Sequence, residues 1–144
     1  MPVFYLDTSA LVKRYRTERG TEVVEALLAN PLSEDRFFIS FLSIIELTSG
    51  VLRLAKGGQL LEDTANEILA RFRRDVRELF RVWPIDDEIT ADASRRLSNT
   101  GCGAPAVMVS SDRELLDAAA AAGLGAFDPQ IPGSAEKLKQ LRRA

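Results

Sequence analysis

The chain has no histidine among its 144 residues. That absence removes the Ser-His-Asp triad, the Cys-His dyad, histidine acid-base chemistry and imidazole metal ligands. It has one cysteine, Cys102, so neither an intrachain disulfide nor a cysteine-rich zinc site can form. A reducing, cytoplasmic setting fits this cysteine usage. No apolar run approaches the ~20 residues that a membrane helix needs. The run "LLDAAAAAGLG" is short and contains Asp117. The opening "MPVFYLDTSALVKRY" has no charged leader and carries Asp7 within its apolar stretch, unlike a signal peptide. An excess of either charge is also lacking: 19 Lys and Arg stand against 21 Asp and Glu. The formal net charge is −2, so a nucleic-acid partner would have to be held by a local patch.

What remains is an ordinary globular composition, 46% apolar and 28% charged. A single domain of this length buries roughly 70% of its unfolded surface and needs no covalent staples. Without histidine, chemistry falls to carboxylates. With hydroxyls and water they suit hard cations such as Mg²⁺ or Mn²⁺.

Short apolar runs alternate with helical spacing. "VFYL" (3–6), "RFFIS" (36–40), "RVWPI" (81–85), "AVMVS" (106–110) and "GAF" (125–127) read as strands, with Pro84 placing the third at an edge or end. Helices are expected over "SALVKRY", capped by Thr8 or Ser9, and over 20–30, 43–58, 60–80, 87–98 and 111–123. The residues 134–144 form a basic tail, either helical or frayed. This alternation predicts an α/β fold in which one parallel sheet is covered by helices, with any ligand beyond the carboxyl ends of the strands.

Three acids share that edge. Asp7 directly follows "VFYL", Glu46 lies just after "RFFIS", and Asp112 follows "AVMVS" by one residue. Each has a plain reading as a cap: Asp7 and Asp112 at helix starts, Ser43 and Glu46 as an S-x-x-E capping box. Together they suggest more. Carboxylates brought to one edge repel each other, and a divalent cation relieves that repulsion. A cation held there would lower the pKa of a bound water and neutralise phosphoryl charge, allowing phosphodiester hydrolysis without histidine. Thr8, Ser43, Ser110 and Ser111 stand beside the acids and could orient them, or cap locally. A phosphatase using Asp7 as nucleophile fits poorly, because position 9 is Ser rather than a second Asp.

Basic residues are distributed unevenly. Lys13 and Arg14 follow the first motif and are placed for substrate contact. Arg71, Arg74, Arg77 and Arg81 line one side of "RFRRDVRELFR", interleaved with Asp75 and Glu78. A salt-bridged, solvated face explains that pattern, with a phosphate track as the alternative.

The stretches "FYLDTSALVKRY", "FFISFLSIIELTSGVLRLAKGGQL", "FRRDVRELFRVWPIDDEITADASRRL" and "VMVSSDRELLDAAAAAGLGAFDP" resemble the PIN domain, and within it the VapC-type toxin ribonucleases. The resemblance covers nearly the whole chain. It implies a three-layer α/β/α sandwich around a parallel sheet and Mg²⁺- or Mn²⁺-dependent endoribonuclease activity on RNA. It implies metal-site roles for Asp7, Glu46 and Asp112, a homodimer, and neutralisation by a VapB-type antitoxin. One feature departs from the family. The D-A-x-x-L-A helix that carries the family's third acid is absent between "ASRRL" and "VMVSSD", and Asp92 in the preceding helix does not take its place. Either a segment of the natural protein is missing between these stretches, or the helix has been lost, which would open one sheet face near the site and leave a metal fewer carboxylates. A degenerate, non-cleaving PIN domain that binds an antitoxin is the corresponding alternative.

Overall fold

A computed structural model of the chain describes residues 3–29, 36–83 and 106–143. Strand β1 (Val3–Leu6) leads into α1 (Thr8–Leu11), a 3₁₀ turn (Val12–Arg14) and α2 (Thr21–Ala29). Then come β2 (Arg36–Ser40), α3 (Phe41–Lys56), α4 (Glu62–Glu78) and β3 (Phe80–Trp83). The last part contains β4 (Ala106–Val109), α5 (Arg113–Ala121), β5 (Gly125–Phe127) and α6 (Ser134–Arg143). Pro84, Asp92, Cys102 and the helix expected over 87–98 lie outside the described residues.

The five strands form one parallel sheet in the order β3-β2-β1-β4-β5. Phe4 pairs in register with Phe37 and Val107, and Tyr5 with Phe38 and Met108. Alternation along each strand sends the two sets to opposite faces. Phe4, Leu6, Phe37, Ile39, Val109 and Phe127 point to a core closed by Leu11, Leu27, Leu47, Leu69, Phe72 and Leu138. Tyr5, Phe38 and Met108 occupy the other face, where the Phe38 and Trp83 rings lie 5.4 Å apart. Every residue of β4 is buried, as expected of a strand covered on both sides. Edge strand β3 exposes its middle residues. The chain moves outward one way from β1 to β2 and β3, and the other way from β4 to β5. Right-handed crossovers therefore put α1–α4 on one face and α5 on the other. This is the expected three-layer α/β/α arrangement.

Several boundaries differ from those the sequence suggests. Helix α3 begins at Phe41 because Ser40, the last residue of β2, is its N-cap and accepts from the Ser43 N–H at 2.9 Å. The S-x-x-E capping box at Ser43 and Glu46 is therefore not formed. Asp7, not Thr8 or Ser9, caps α1, because the helix starts immediately after the strand. The basic tail is folded: α6 packs on α2, Leu138 is buried, and Arg142 donates to the carbonyl of Leu27 at 2.6 Å. That contact satisfies a carbonyl at the end of α2, where a cation also complements the helix dipole.

Candidate metal and nuclease site

The strand order reverses between β1 and β4, so a crevice opens at their carboxyl ends. Asp7 ends β1 and Ser110 ends β4, and they meet there. Asp7 Oδ2 accepts from Ser110 Oγ at 2.8 Å, and Oδ1 accepts from Ser9 Oγ at 2.8 Å and from the Ala10 N–H at 3.1 Å. Each serine is fixed in turn by a backbone donor. The Ser111 N–H donates to Ser9 Oγ and the Asp112 N–H to Ser110 Oγ, both at 2.9 Å. Two relays thus run from the turn after β4, through a hydroxyl, to one half-buried carboxylate. Such chains polarise and fix their members. The sequence offers Ser9 only as a cap; in the fold it connects the β1 and β4 ends.

Glu46 lies past the first turn of α3, is exposed, and accepts a short hydrogen bond from the Thr8 hydroxyl. Freed from capping, its carboxylate faces the end of β1. Tyr5 reports the proximity of both acids. Burial pushes its phenol above the ordinary range; a hydrogen bond with Ser40 opposes this, and the charges of Asp7 and Glu46 add to it. Ser43 is buried and contacts Ser40 Oγ at 3.0 Å rather than either carboxylate.

Asp112 is exposed and is the N-cap of α5. Its Oδ1 accepts from the N–H groups of Glu114 at 3.0 Å and Leu115 at 3.2 Å. Among the described residues, no three Asp, Glu or Cys side chains stand close enough to hold a metal ion jointly. The fold therefore ties Glu46 to Thr8, the residue after Asp7, and directs Asp112 towards its own helix. One further acid belongs to this edge. Asp128 directly follows β5, accepts from the Gln130 N–H at 2.8 Å and lies 3.5 Å from Ser111 Oγ. The signal was available in the sequence, because Asp128 follows "GAF" as Asp7 follows "VFYL".

The two basic residues assigned to substrate have other partners. Lys13 is 1% exposed, with its ammonium 2.8 Å from Glu18. Arg14 lies 2.8 Å from Asp75 and 3.3 Å from Glu25. Asp75 also accepts from the Tyr15 hydroxyl at 2.6 Å. Arg71 pairs with Glu25 at 3.2 Å, stacks 5.6 Å from the Tyr15 ring and donates to the Arg14 carbonyl. These cations tie the turn after α1 to α2 and α4. Arg81 lies in β3 and is not part of the helix carrying Arg71.

The PIN domain family profile matches residues 4–124. The chain belongs to the PIN domain family. Among solved structures, it is similar to FitAcB from Neisseria gonorrhoeae, with a TM-score of 0.57 and 21% identity over 88% of this chain and 97% of that one. It is also similar to VapBC-1 from nontypeable Haemophilus influenzae, with a TM-score of 0.51 and 18% identity over 90% and 99% of the two chains. At such identities these likenesses bear on the fold of this PIN domain. No curated protein matches it. Among its described residues no helix is long and apolar enough to cross a membrane.

Proposed function

We propose that this PIN domain is a divalent-metal-dependent endoribonuclease and the toxin of a toxin–antitoxin pair acting in the cytoplasm. The observation that carries the reading is Asp7. It is held at the β1/β4 switch point by neutral hydroxyls, with a second carboxylate, Glu46, beside it and no cation paired to either among the described residues. The donor chemistry fits the implied metal. Mg²⁺ characteristically binds through one or two carboxylates and leaves its other positions to water and substrate phosphate. Asp7 and Glu46 would hold Mg²⁺ or Mn²⁺, which would supply water activation and neutralisation of phosphoryl charge. Ser9 and Ser110 orient Asp7, and Thr8 orients Glu46. Asp112 belongs to the proposed site through its N–H, which fixes Ser110, and through a carboxylate oxygen outside the cap.

The antitoxin in this proposal comes from the resemblance to VapC-type toxins and from the FitAcB and VapBC-1 neighbours. Apolar residues exposed on α3 support a second copy or partner. Phe41, Leu42, Ile45 and Leu52 are 48, 48, 47 and 52% exposed. Contiguous apolar surface of this kind marks interaction faces.

The test uses partner-free protein and single-stranded RNA with Mg²⁺ or Mn²⁺. Cleavage that stops with EDTA and in Asp7→Asn supports the proposal, whereas intact RNA under metal-replete conditions sinks it. The non-cleaving reading rests on the gathering of two rather than three carboxylates among the described residues. It predicts tight antitoxin binding with no metal-dependent turnover.

A further inference from the structure

Two helical stripes face one another beyond the acids. Thr8, Val12 and Arg16 succeed each other along α1 and the following turn, while Glu46, Gly50 and Arg53 do so along α3. Between them lies a groove of about 560 Å³. The Thr8–Glu46 hydrogen bond closes one end. Arg53 lies seven residues beyond Glu46, which is about 10 Å of helical rise, so the arginines mark the other end. Both are exposed, and neither side chain has an ion-pair or hydrogen-bond partner among the described residues. They differ in this from Lys13, Arg14 and Arg71.

Gly50 supplies an independent observation. It lies inside a helix of 16 residues, where glycine is a weaker former than alanine. A Cβ added there would meet nothing within 4 Å, so neither packing nor backbone conformation requires glycine. The missing side chain leaves the groove open midway between acids and arginines.

We propose that this groove carries single-stranded RNA, with Arg16 and Arg53 binding a backbone phosphate adjacent to the one at the Asp7–Glu46 site. This rests on the nuclease reading above. Free guanidinium forks match phosphate oxygens. Polynucleotides repeat the phosphate at every unit, so a strand with one phosphate at the acids brings another towards the arginines. The apolar floor of Val12, Leu47, Val51 and Leu54 accepts the uncharged faces of the strand.

Anisotropy of a labelled single-stranded oligoribonucleotide, measured in EDTA, separates binding from cleavage. Arg16→Gln and Arg53→Gln should each weaken binding about tenfold, as expected for a lost charged hydrogen bond. Each should also flatten the dependence of log affinity on log salt by about 0.7, the single-strand slope per phosphate contact. Gly50→Leu should block binding with its melting temperature retained, whereas Arg16→Lys should keep the salt slope. Unchanged affinity and slope in both glutamine variants overturn the groove assignment, as does failure of the unsubstituted protein to bind. If those variants bind RNA normally while Asp7-dependent cleavage persists, the nuclease reading survives without the groove. If they lose only the antitoxin, the groove belongs to a protein partner and the proposal falls.

Discussion

Asp7 and Asp75 are both carboxylates close to the β1 motif, and their surroundings are opposite. Asp7 is served by two serine hydroxyls and a backbone N–H. Asp75 is served by a guanidinium and a phenol. Burial acts to raise the Asp75 carboxyl, but the hydrogen bonds from Arg14 and Tyr15 and the charges of Arg14 and Arg71 hold it below its usual range. At Asp75 the negative charge is already matched inside the protein, and the contact fastens α4 to the turn after α1. At Asp7 it is oriented but not matched. Hydroxyls fix geometry without neutralising charge, which leaves the carboxylate available to an external cation.

The sharpest way to break this contrast is to neutralise each acid in turn. Asp7→Asn should reduce metal-dependent RNA cleavage on the order of a thousandfold, the equivalent of several kcal/mol of lost metal-borne charge stabilisation. Its melting temperature should stay within a few degrees of the parent, as thermal denaturation would show. Asp75→Asn should do the reverse. It removes the closer of the two carboxylates that pair with Arg14, leaving Glu25, and should cost about 2 kcal/mol of stability in urea unfolding. Cleavage per folded molecule should survive. If Asp7→Asn unfolds the protein and Asp75→Asn abolishes turnover, the two roles are misassigned.

A smaller effect is expected one bond further out. Ser9→Ala and Ser110→Ala should each lower cleavage about 10–100-fold, in the range of lost partners behind metal ligands. Raising the metal concentration should partly restore the rate, because the carboxylate remains. A loss insensitive to metal would mean that the serines act on something other than Asp7.

The smallest expected effect is in acid. The Asp75 carboxyl has a lowered pKa in the folded chain. Its contribution is therefore complete above the ordinary aspartate value of about 3.9 and declines as pH falls through the folded value. Tyr15 mirrors it. Burial first, then the hydrogen bond and charge of Asp75, push its phenol upward, so its contribution holds below about pH 10 and is lost at more alkaline pH. Urea midpoints measured from pH 5 down to pH 3 should fall less steeply in Asp75→Asn than in the parent. Equal slopes would remove Asp75 from the acid transition.

Much of this was legible in the sequence where one local signal dominates. Apolar runs of three to five residues mark the strands, and their alternation with helical spacing marks a parallel sheet. Asp7 could be placed at a strand end because nothing separates it from "VFYL". Side-chain partners were less legible. Lys13 and Arg14 look like substrate contacts in a linear chain, yet Glu18, Glu25 and Asp75 reach them only after folding. Ser40 replaced Ser43 as the cap because strand and helix abut without a loop. The role of Ser9 is not legible locally, because the Ser111 N–H that fixes it lies 102 positions away. Asp128 carries the same strand-end signal as Asp7, one residue after "GAF". Arg16 and Arg53 line one groove only after folding.

That long reach across β1 and β4 bears on synthesis as well as geometry. β1 has a partner on one side once β2 is made, but its other side awaits β4, whose last ladder residue is Val109. Ser110 and the turn that fixes both serines come later still. A nascent chain still lacking that strand has Asp7 but neither complete relay. Chain synthesis proceeds at roughly 5–20 residues per second, far slower than local helix formation. The first half therefore has time to fold around an unfinished centre. Any activity that depends on Asp7 in its final geometry is withheld until β4 and the turn through Asp112 have left the ribosome.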